Sequence, residues 1–254
     1  MELATADIRD EASIDTALAG ASAVVNAVSL YVETRDASFE AIHVTGAGRL
    51  ASRARAAGID RLVLVSGIGI RHDSASAYVR ARSRGEDAVL EAMPKAIIVR
   101  PSVLFGPGDA FLSGLEGLAR LPLIPLFGHG TTRLQPVHVM DVARAIATLT
   151  GRPATARRLF ELGGPEVLSY REILEMLLTH LHRERPLVPI PFLAWRLVAA
   201  LATWLPGPPL TRDQVILMQT DNVADKDIGG FRDLRILPRS LHESLPSCLT
   251  PHNA

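Results

Sequence analysis

Short apolar runs rich in β-branched residues alternate with stretches of helical periodicity as far as residue 163. The apolar runs occupy residues 23–28, 61–67, 95–101 and 158–163, and the helical stretches occupy residues 37–57, 76–93 and 139–150. Strands that are apolar at nearly every position are typical of a parallel sheet that helices cover on both faces. The sequence therefore predicts an α/β fold built on a doubly wound parallel sheet.

The pattern changes at about Pro165. Helical stretches separated by two proline clusters, PLVPIP and LPGPPLT, follow this residue, and no later run predicts a strand. A chain of 254 residues, of which 48% are hydrophobic, can bury one core of moderate size and carry an appendage. We therefore predict one domain over residues 1–164 and a smaller, mainly helical cap over residues 165–254.

Charge and cysteine content narrow the class of protein. Lys and Arg together number 27, as do Asp and Glu, so the chain lacks the basic excess that draws proteins to nucleic acid. The single cysteine, Cys248, leaves no internal disulfide, and the start MELATAD lacks the apolar run of a signal peptide. These features predict a cytoplasmic protein that does not bind nucleic acid and has no metal site.

The stretch LVPIPFLAWRLVAALATWL at 187–205 is apolar enough to suggest contact with a membrane. Two prolines at its start and Arg196 at its centre argue against a spanning helix, which needs ~20 apolar residues. We predict a helix from Phe192 to about Leu205. Two interpretations stay open: this helix is buried in the protein core, or it docks to a partner or to a membrane surface.

A match to the dinucleotide fingerprint G-x-G-x-x-A occurs at Gly46, Gly48 and Ala51. That motif needs a strand before it and an acidic residue ~20 positions later, at the end of the next strand, to hold the ribose hydroxyls. Here the preceding residues have helical spacing, and the next strand ends in Ser66-Gly67. We therefore interpret the match as a helix interior in which glycines allow close packing.

Seven segments occur in an order and spacing that resemble those of the extended and atypical short-chain dehydrogenase/reductases. They are ADIRD (6–10), VVNAV (24–28), AAGIDRLVLVSG (56–67), YVRAR (78–82), IIVRPSVLFGPGD (97–109), LQPVHVMDVARAI (134–146) and LFELGGPEVLSYREIL (159–174). Within that superfamily, RPSVLFGPGDAFL and LPGPPLTRDQVILMQTDNV are most similar to the Rossmann-fold accessory subunit of respiratory complex I and its bacterial relatives. The resemblance covers residues 3–249 and implies a Rossmann-like fold that binds NAD or NADP.

The resemblance also implies roles for individual residues. It places Asp7 and Ile8 beside the adenine of the dinucleotide, and Asn26, Ala27 and Val28 as a backbone wall along the cofactor. It places Pro101, Ser102 and Val103 beside the nicotinamide, and it assigns further contacts with the dinucleotide to Tyr78 and Arg82. It places Ser66, Tyr78 and Arg82 at the Ser-Tyr-Lys positions of the family, whereas His43 stands where the extended enzymes usually carry asparagine. Simpler interpretations stay open: Asp7 begins a turn or cap, His43 is a hydrogen-bonded helix residue, and Asp141 is a helix N-terminal residue.

In this family the glycine-rich phosphate loop follows the first strand, and ADIRD follows the third. Here ADIRD begins at residue 6, so we expect the chain as given to lack the first strand, the loop, the first helix and the second strand. The run at 24–28 would then form an apolar edge of the sheet. Either the protein starts upstream of Met1, or this chain is a fragment or a truncated, inactive paralogue.

Tyr78 and Arg82 lie four residues apart, so both side chains project from one face of the predicted helix. A cation close to the phenol could lower the tyrosine pKa much as lysine does. However, a guanidinium is bulkier than an ammonium and cannot pass a proton onward. Glu86 is four residues beyond Arg82 and could draw the cation away. A working catalytic pair and a relic on the helix surface both stay open.

Two functions follow from the resemblance. The first is hydride transfer between NAD(P) and a substrate carbonyl or alcohol, including epimerase or dehydratase chemistry of the sugar-nucleotide type, with Ser66, Tyr78 and Arg82 as catalytic residues. The second is a non-catalytic accessory or scaffold protein of a membrane respiratory complex. In that case residues 187–209 would dock, with Trp195 or Trp204 near the interface, and the protein would be peripheral at the inner face of the membrane.

We predict that the chain as given binds NAD(P)H weakly or not at all. The physical reason is that a helix N-terminus and its glycine-rich loop normally hold the pyrophosphate, and the sequence shows no such loop. Titration followed by nicotinamide fluorescence measures the affinity. A dissociation constant in the low micromolar range would contradict this prediction.

Overall fold

The computed structural model describes residues 3–151, 157–202 and 210–249. Its strands are β1 (Val24–Asn26), β2 (Leu62–Val65), β3 (Ile97–Pro101), β4 (Leu104–Phe105), β5 (Ile124–Phe127), β6 (Arg133–Leu134), β7 (Val137–His138), β8 (Leu159–Leu162), β9 (Leu168–Ser169) and β10 (Leu187–Ile190). Its α-helices are α1 (Glu11–Leu18), α2 (Ala47–Ala56), α3 (Ala77–Ala92), α4 (Ala110–Ala119), α5 (Val139–Gly151), α6 (Tyr170–His180), α7 (Phe192–Ala202), α8 (Arg212–Leu217), α9 (Phe231–Leu234) and α10 (Leu241–Cys248). A π-helix, Glu40–Gly46, runs directly into α2.

The described residues form two compact units. The first comprises those of 1–100 and 145–160, and the second comprises those of 101–144 and 161–254. This division differs from the boundary predicted at residue 164. The reason is the core of the second unit, in which side chains of β5 and α4 pack with those of α6 and α10.

The first unit is built on the sheet of order β1-β2-β3-β8. β1 pairs with β2 and β2 with β3, both in parallel, with Val24 opposite Leu62 and Val63 opposite Ile97. The four strands lie where the apolar runs predicted them, and the three predicted helical stretches are helical. Among the described residues β1 forms the edge of this sheet, and its Val25 is partly exposed, as the sequence predicted for this run.

Small residues allow the helices of the first unit to pack closely. Gly48 of α2 lies against Ala88 of α3, and Ala51 is fully buried in the same core. Gly46 is the last residue of the π-helix and contacts the side chain of Ile8. The structure therefore confirms that these glycines belong to a helix interior and do not form a phosphate loop.

Within its described residues, the second unit contains three two-stranded pairings: β5 with β10, β4 with β7, and β6 with β9. β9 and β10 both follow Pro165, so the expectation that no strand lies beyond this point is wrong. Pro189 argued against a strand here because proline has no backbone N–H to donate to a neighbouring strand. In a two-stranded pairing one side of each strand is open, and there a missing N–H costs little.

Asp141 lies in the first turn of α5, as predicted, and its carboxylate is fully buried. Its Oδ2 accepts a hydrogen bond from the backbone N–H of Arg239, 2.8 Å away. Asp141 thereby ties the segment that precedes α10 to α5. This is a structural role within the second unit.

Helix α7 begins at Phe192 as predicted, and the predicted end at Leu205 and the side chain of Trp204 lie outside the described residues. One face packs inward: the ring of Trp195 contacts that of Phe127 at a tilt of 33°, with 4.5 Å between the centroids, and its Nε1 donates to the carbonyl of Leu126. The opposite face carries three leucines that are 60–73% exposed, namely Leu193, Leu197 and Leu201. None of the helices in the described parts of the chain is long and apolar enough to cross a membrane.

Candidate active site

A cleft in the first unit opens where β1 and β2 end. Asn26, the last residue of β1, and Ser66, directly after β2, line it together with His43, Arg82 and Val28. The carboxyl ends of parallel strands are the usual ligand-binding edge of an α/β sheet. The topology of the sheet thus brings several of the predicted site residues to one place.

The ring of Tyr78 is enclosed by other aromatic rings. Tyr31 stacks on it with a centroid distance of 5.5 Å and an interplanar angle of 24°. Phe39 and His43 meet it edge to face, each with a centroid distance of 5.6 Å. Tyr78 is consequently only 8% exposed, although it lies in the first turn of a helix that is partly exposed to solvent.

Burial raises the pKa of the Tyr78 phenol above its ordinary value. The charge of Arg82 and hydrogen bonds with Arg82 and Ser29 act in the opposite direction, and the neighbouring Tyr31 adds to the increase. Arg82 therefore lowers the tyrosine pKa as predicted, but desolvation outweighs it. At neutral pH the phenol carries its proton.

Arg82 is held in a fixed orientation inside the cleft. Its Nη1 donates to the hydroxyl of Ser29 at 2.9 Å, and its Nη2 donates to the carbonyl of Val65 at 2.7 Å. The guanidinium lies 5.6 Å from the centroid of the Tyr78 ring, within the range of a cation–π contact. Its Nε is buried and has no hydrogen-bond partner in the described part of the chain. This free donor suits a ligand oxygen such as a ribose hydroxyl.

Glu86 does not draw Arg82 away from the phenol. Its carboxylate accepts two hydrogen bonds from Arg100, of 2.6 and 3.0 Å, and one from the hydroxyl of Ser66. The objection to a Tyr78–Arg82 pair that rested on Glu86 is therefore removed. The hydrogen bond to Glu86 also affects the predicted catalytic role of Ser66. The hydroxyl has a single proton, and because this proton is directed at Glu86 it is not available to a substrate oxygen.

His43 lies in the π-helix and is buried. Its Nε2 is 2.9 Å from the carbonyl oxygen of Leu30, and desolvation lowers the pKa of the imidazole, so it is neutral at pH 7. Gly85 of α3 makes this packing possible, since a β carbon there would collide with the backbone oxygen of His43. The hydrogen-bonded helix histidine is thus the interpretation that agrees with the structure.

The sequence analysis missed the segment Ser29–Tyr31, which directly follows β1. Ser29 contacts Arg82, Leu30 contacts His43, and Tyr31 covers Tyr78. Its signal in the sequence is modest: two side chains, of Ser29 and Tyr31, that can form hydrogen bonds or stack, placed after the carboxyl end of a strand. Which helix they meet depends on the fold.

Asn26 is the last residue of β1, and Ala27 and Val28 follow it along the chain. Asn26 is buried, and its Oδ1 accepts the backbone N–H of Val28 at 3.1 Å, which bends the chain immediately after β1. The side chain of Val28 is half exposed at the cleft.

Asp7 and Ile8 form a turn before α1. The carboxylate of Asp7 accepts hydrogen bonds from the backbone and side chain of Arg9, which lower its pKa to about 2. Ile8 is buried against Gly46. A ligand group that is to bind the Asp7 carboxylate has to share it with Arg9.

Pro101, Ser102 and Val103 lie at the start of the second unit. The hydroxyl of Ser102 donates to Oδ1 of Asn222 at 2.6 Å, and the backbone N–H of Val103 donates to the same oxygen at 3.1 Å. The predicted nicotinamide segment is therefore braced by an asparagine that sequence reasoning did not identify. No group of three or more His, Cys, Asp or Glu residues that could hold a metal occurs in the residues described.

Residues 1–108 match a family model described as NAD(P)H-binding. Over 247 residues the chain is 34% identical to the mitochondrial NADH dehydrogenase (ubiquinone) 1 alpha subcomplex subunit 9 of Arabidopsis thaliana, covering 92% of this chain and 61% of that relative. Over 154 residues it is 35% identical to the ceramide reductase of Caulobacter vibrioides, covering 60% of this chain and 48% of that relative. The chain thus spans less than two-thirds of the length of either protein.

The fold is similar to that of a nucleoside-diphosphate-sugar epimerase from Staphylococcus aureus, with a TM-score of 0.73 and 13% sequence identity, over 96% of this chain and 83% of that one. These comparisons confirm the predicted doubly wound α/β class, the resemblance to the short-chain dehydrogenase/reductases and the complex I accessory subunit, and NAD or NADP as the cofactor.

We predict that Glu86→Ala destabilises the protein by ~3–5 kcal/mol, because it removes a largely buried carboxylate that forms an ion pair with the Arg100 guanidinium. Chemical denaturation measures the free energy of unfolding. Glu40→Ala is the matched control. Glu40 of the π-helix pairs with Arg84, which lies on α3 as Glu86 does, but both side chains of this pair are about half exposed, so the expected loss is ~0–1 kcal/mol. Equal losses for the two variants would contradict a structural role for the buried pair.

Proposed function

We propose that this chain, whose residues 1–108 match an NAD(P)H-binding family model and whose sequence is similar to a subunit of NADH dehydrogenase, takes part in hydride transfer to or from a substrate carbonyl or alcohol. Epimerase or dehydratase chemistry of the sugar-nucleotide type is a variant of the same proposal. The observation that carries it is the enclosed Tyr78 phenol beside the fixed guanidinium of Arg82. A dinucleotide, when bound, supplies or accepts the hydride.

Tyr78 is the proposed acid. Because burial keeps its phenol protonated at neutral pH, it can donate a proton to the oxygen of a carbonyl as that carbon is reduced. The charge of Arg82 then stabilises the phenolate that is left. Arg82 itself stays protonated, so we propose that a proton from solvent water reaches the Tyr78 phenolate through the exposed hydroxyl of Ser29.

Ser66 has a different proposed role from the one that the family resemblance implies. Its hydroxyl donates a hydrogen bond to the Glu86 carboxylate, so its proton is not available to a substrate, but its oxygen still has lone pairs that can accept a hydrogen bond. Ser66 can therefore accept a hydrogen bond from a substrate alcohol more readily than it can donate one to a carbonyl. This arrangement favours binding of the hydroxyl form of the substrate.

The proposed contacts with the dinucleotide follow the sequence prediction. The free Nε of Arg82 and the chain at Asn26, Ala27 and Val28 would face the ribose and the linker of the cofactor. Asp7 and Ile8 remain the proposed adenine contacts, and Pro101, Ser102 and Val103 the proposed nicotinamide contacts. The relative named ceramide reductase supports a reductive activity for this type of chain.

We expect Tyr78→Phe to abolish turnover while leaving cofactor affinity nearly unchanged, because the phenol acts on the substrate in the transition state. Arg82→Lys should preserve or raise the rate, since it keeps the charge and allows proton transfer. The assay follows nicotinamide absorbance with a panel of aldehydes, ketones and alcohols, at cofactor concentrations high enough to compensate for weak binding. Equal activity of wild type and Tyr78→Phe, or no turnover by wild type, would reject the proposal.

An accessory function is the second candidate, and the exposed face of α7 favours it. Leu193, Leu197 and Leu201 form one apolar stripe, and such stripes on soluble surfaces commonly mark interfaces. A relative is named as a subunit of NADH dehydrogenase. We propose that this stripe docks on an apolar protein surface of a membrane respiratory complex, with the protein peripheral at the inner, cytoplasmic face of the membrane.

We expect Leu197→Asp to weaken association with respiratory membranes by about tenfold or more, because a buried leucine contributes ~1.5–3 kcal/mol. The measurement is the fraction of protein that pellets with native membranes and with protein-free anionic vesicles. Leu237→Asp is the control, since Leu237 is 89% exposed but lies away from α7 in the sequence. If the protein pellets equally well with protein-free vesicles, it binds the lipid surface and not a protein complex. If wild type does not pellet with either, docking is rejected.

A further inference from the structure

The segment Ser29–Tyr31 is fastened over Tyr78 at three successive residues. Ser29 accepts a hydrogen bond from Arg82 at 2.9 Å, and the carbonyl of Leu30 lies 2.9 Å from Nε2 of His43. The ring of Tyr31 then lies on the ring of Tyr78 with a centroid distance of 5.5 Å. The segment belongs to the irregular connection between β1 and the π-helix, so these side-chain contacts hold it in place.

Tyr31 and Tyr78 differ in how much of each side chain is exposed to solvent. Tyr31 is 67% exposed, whereas Tyr78 is 8% exposed. Tyr31 is therefore the outer layer and Tyr78 the inner one. Phe39 and His43 meet the Tyr78 ring at steep angles, and the guanidinium of Arg82 lies over it. Phe39, His43 and Arg82 are buried, so of these four neighbours Tyr31 is the one that lies between the Tyr78 ring and solvent.

We propose that Tyr31 is the gate of the active site, and that a substrate reaches Tyr78 only when the Tyr31 ring has moved off it. The inference rests on the proposed hydride-transfer function. A single stacked pair is a weak closure, worth little more than thermal energy, so it can open without disturbing the core. The contacts of Ser29 and Leu30 would stay in place while the Tyr31 ring moves, so that the ring can stack on Tyr78 again.

The chain contains three tyrosines, and cleavage after Lys and Arg places Tyr31, Tyr78 and Tyr170 in three separate peptides. Nitration by tetranitromethane followed by peptide mass spectrometry can therefore measure each ring independently. In wild type we expect rapid nitration of Tyr31 and slow nitration of Tyr78. Tyr31→Ala should accelerate nitration of Tyr78 by about two- to tenfold, the range that loss of one aromatic pair supplies.

Tyr31→Phe is the matched control, because it keeps the covering ring and removes only the hydroxyl. Tyr78 should remain slow in this variant. Buried Tyr170 and the thermal unfolding curve report on folding; if Tyr31→Ala fails to fold, Tyr31→Leu removes the aromatic stack while keeping bulk. A change of less than about twofold in folded Tyr31→Ala or Tyr31→Leu would overturn the gate.

The nitration experiment needs neither cofactor nor substrate, so its failure is distinguishable from failure of the proposed function. Protection of Tyr78 that depends on Tyr31, together with no turnover, would reject hydride transfer alone. Turnover that requires Tyr78 while Tyr31→Ala leaves its nitration unchanged would reject the gate alone.

Discussion

Helix α3 lies against the π-helix so closely that no side chain fits at Gly85, where a β carbon would collide with the backbone of His43. This contact positions most of the candidate site. Tyr78 lies about two turns before Gly85 on the same helix, Arg82 one turn before it, and Glu86 directly after it. The π-helix in turn supplies His43, and His43 holds the segment that ends in Tyr31. Irregular turns of this kind are frequent at functional sites.

Within this frame, two opposing effects act on the Tyr78 phenol. Arg82 favours its charged form, and burial among aromatic rings disfavours it more strongly. The outcome is a tyrosine that holds its proton at neutral pH. A more open site with the same two residues would have a more acidic phenol, so the rings around Tyr78 help to determine its chemistry as much as the cation does.

The sequence was most informative where a short range of residues decides the structure. The apolar runs identified β1, β2, β3 and β8, and the spacing of Tyr78 and Arg82 correctly placed both on one face of α3. Choices between distant partners were beyond it. Glu86 could pair with Arg82 four residues away or with Arg100 on the neighbouring strand, and only the packed sheet decides in favour of Arg100. Likewise, nothing local to Tyr31 indicates which ring it covers, and the pairing of β10 depends on a strand some sixty residues earlier in the chain.

The position of β1 at the edge of the sheet affects how its backbone meets water. Val24 donates its N–H to the carbonyl of Arg61, and because neighbouring residues of a strand point their polar groups to opposite sides, those of Val25 face the open edge. The N–H of Val25 is then bonded to no other strand in the described structure, although Val24 beside it is fastened to the sheet. The amide hydrogen of Val25 should therefore exchange with solvent much faster than that of Val24. Hydrogen exchange measured at each residue would then identify β1 as the edge strand of the sheet.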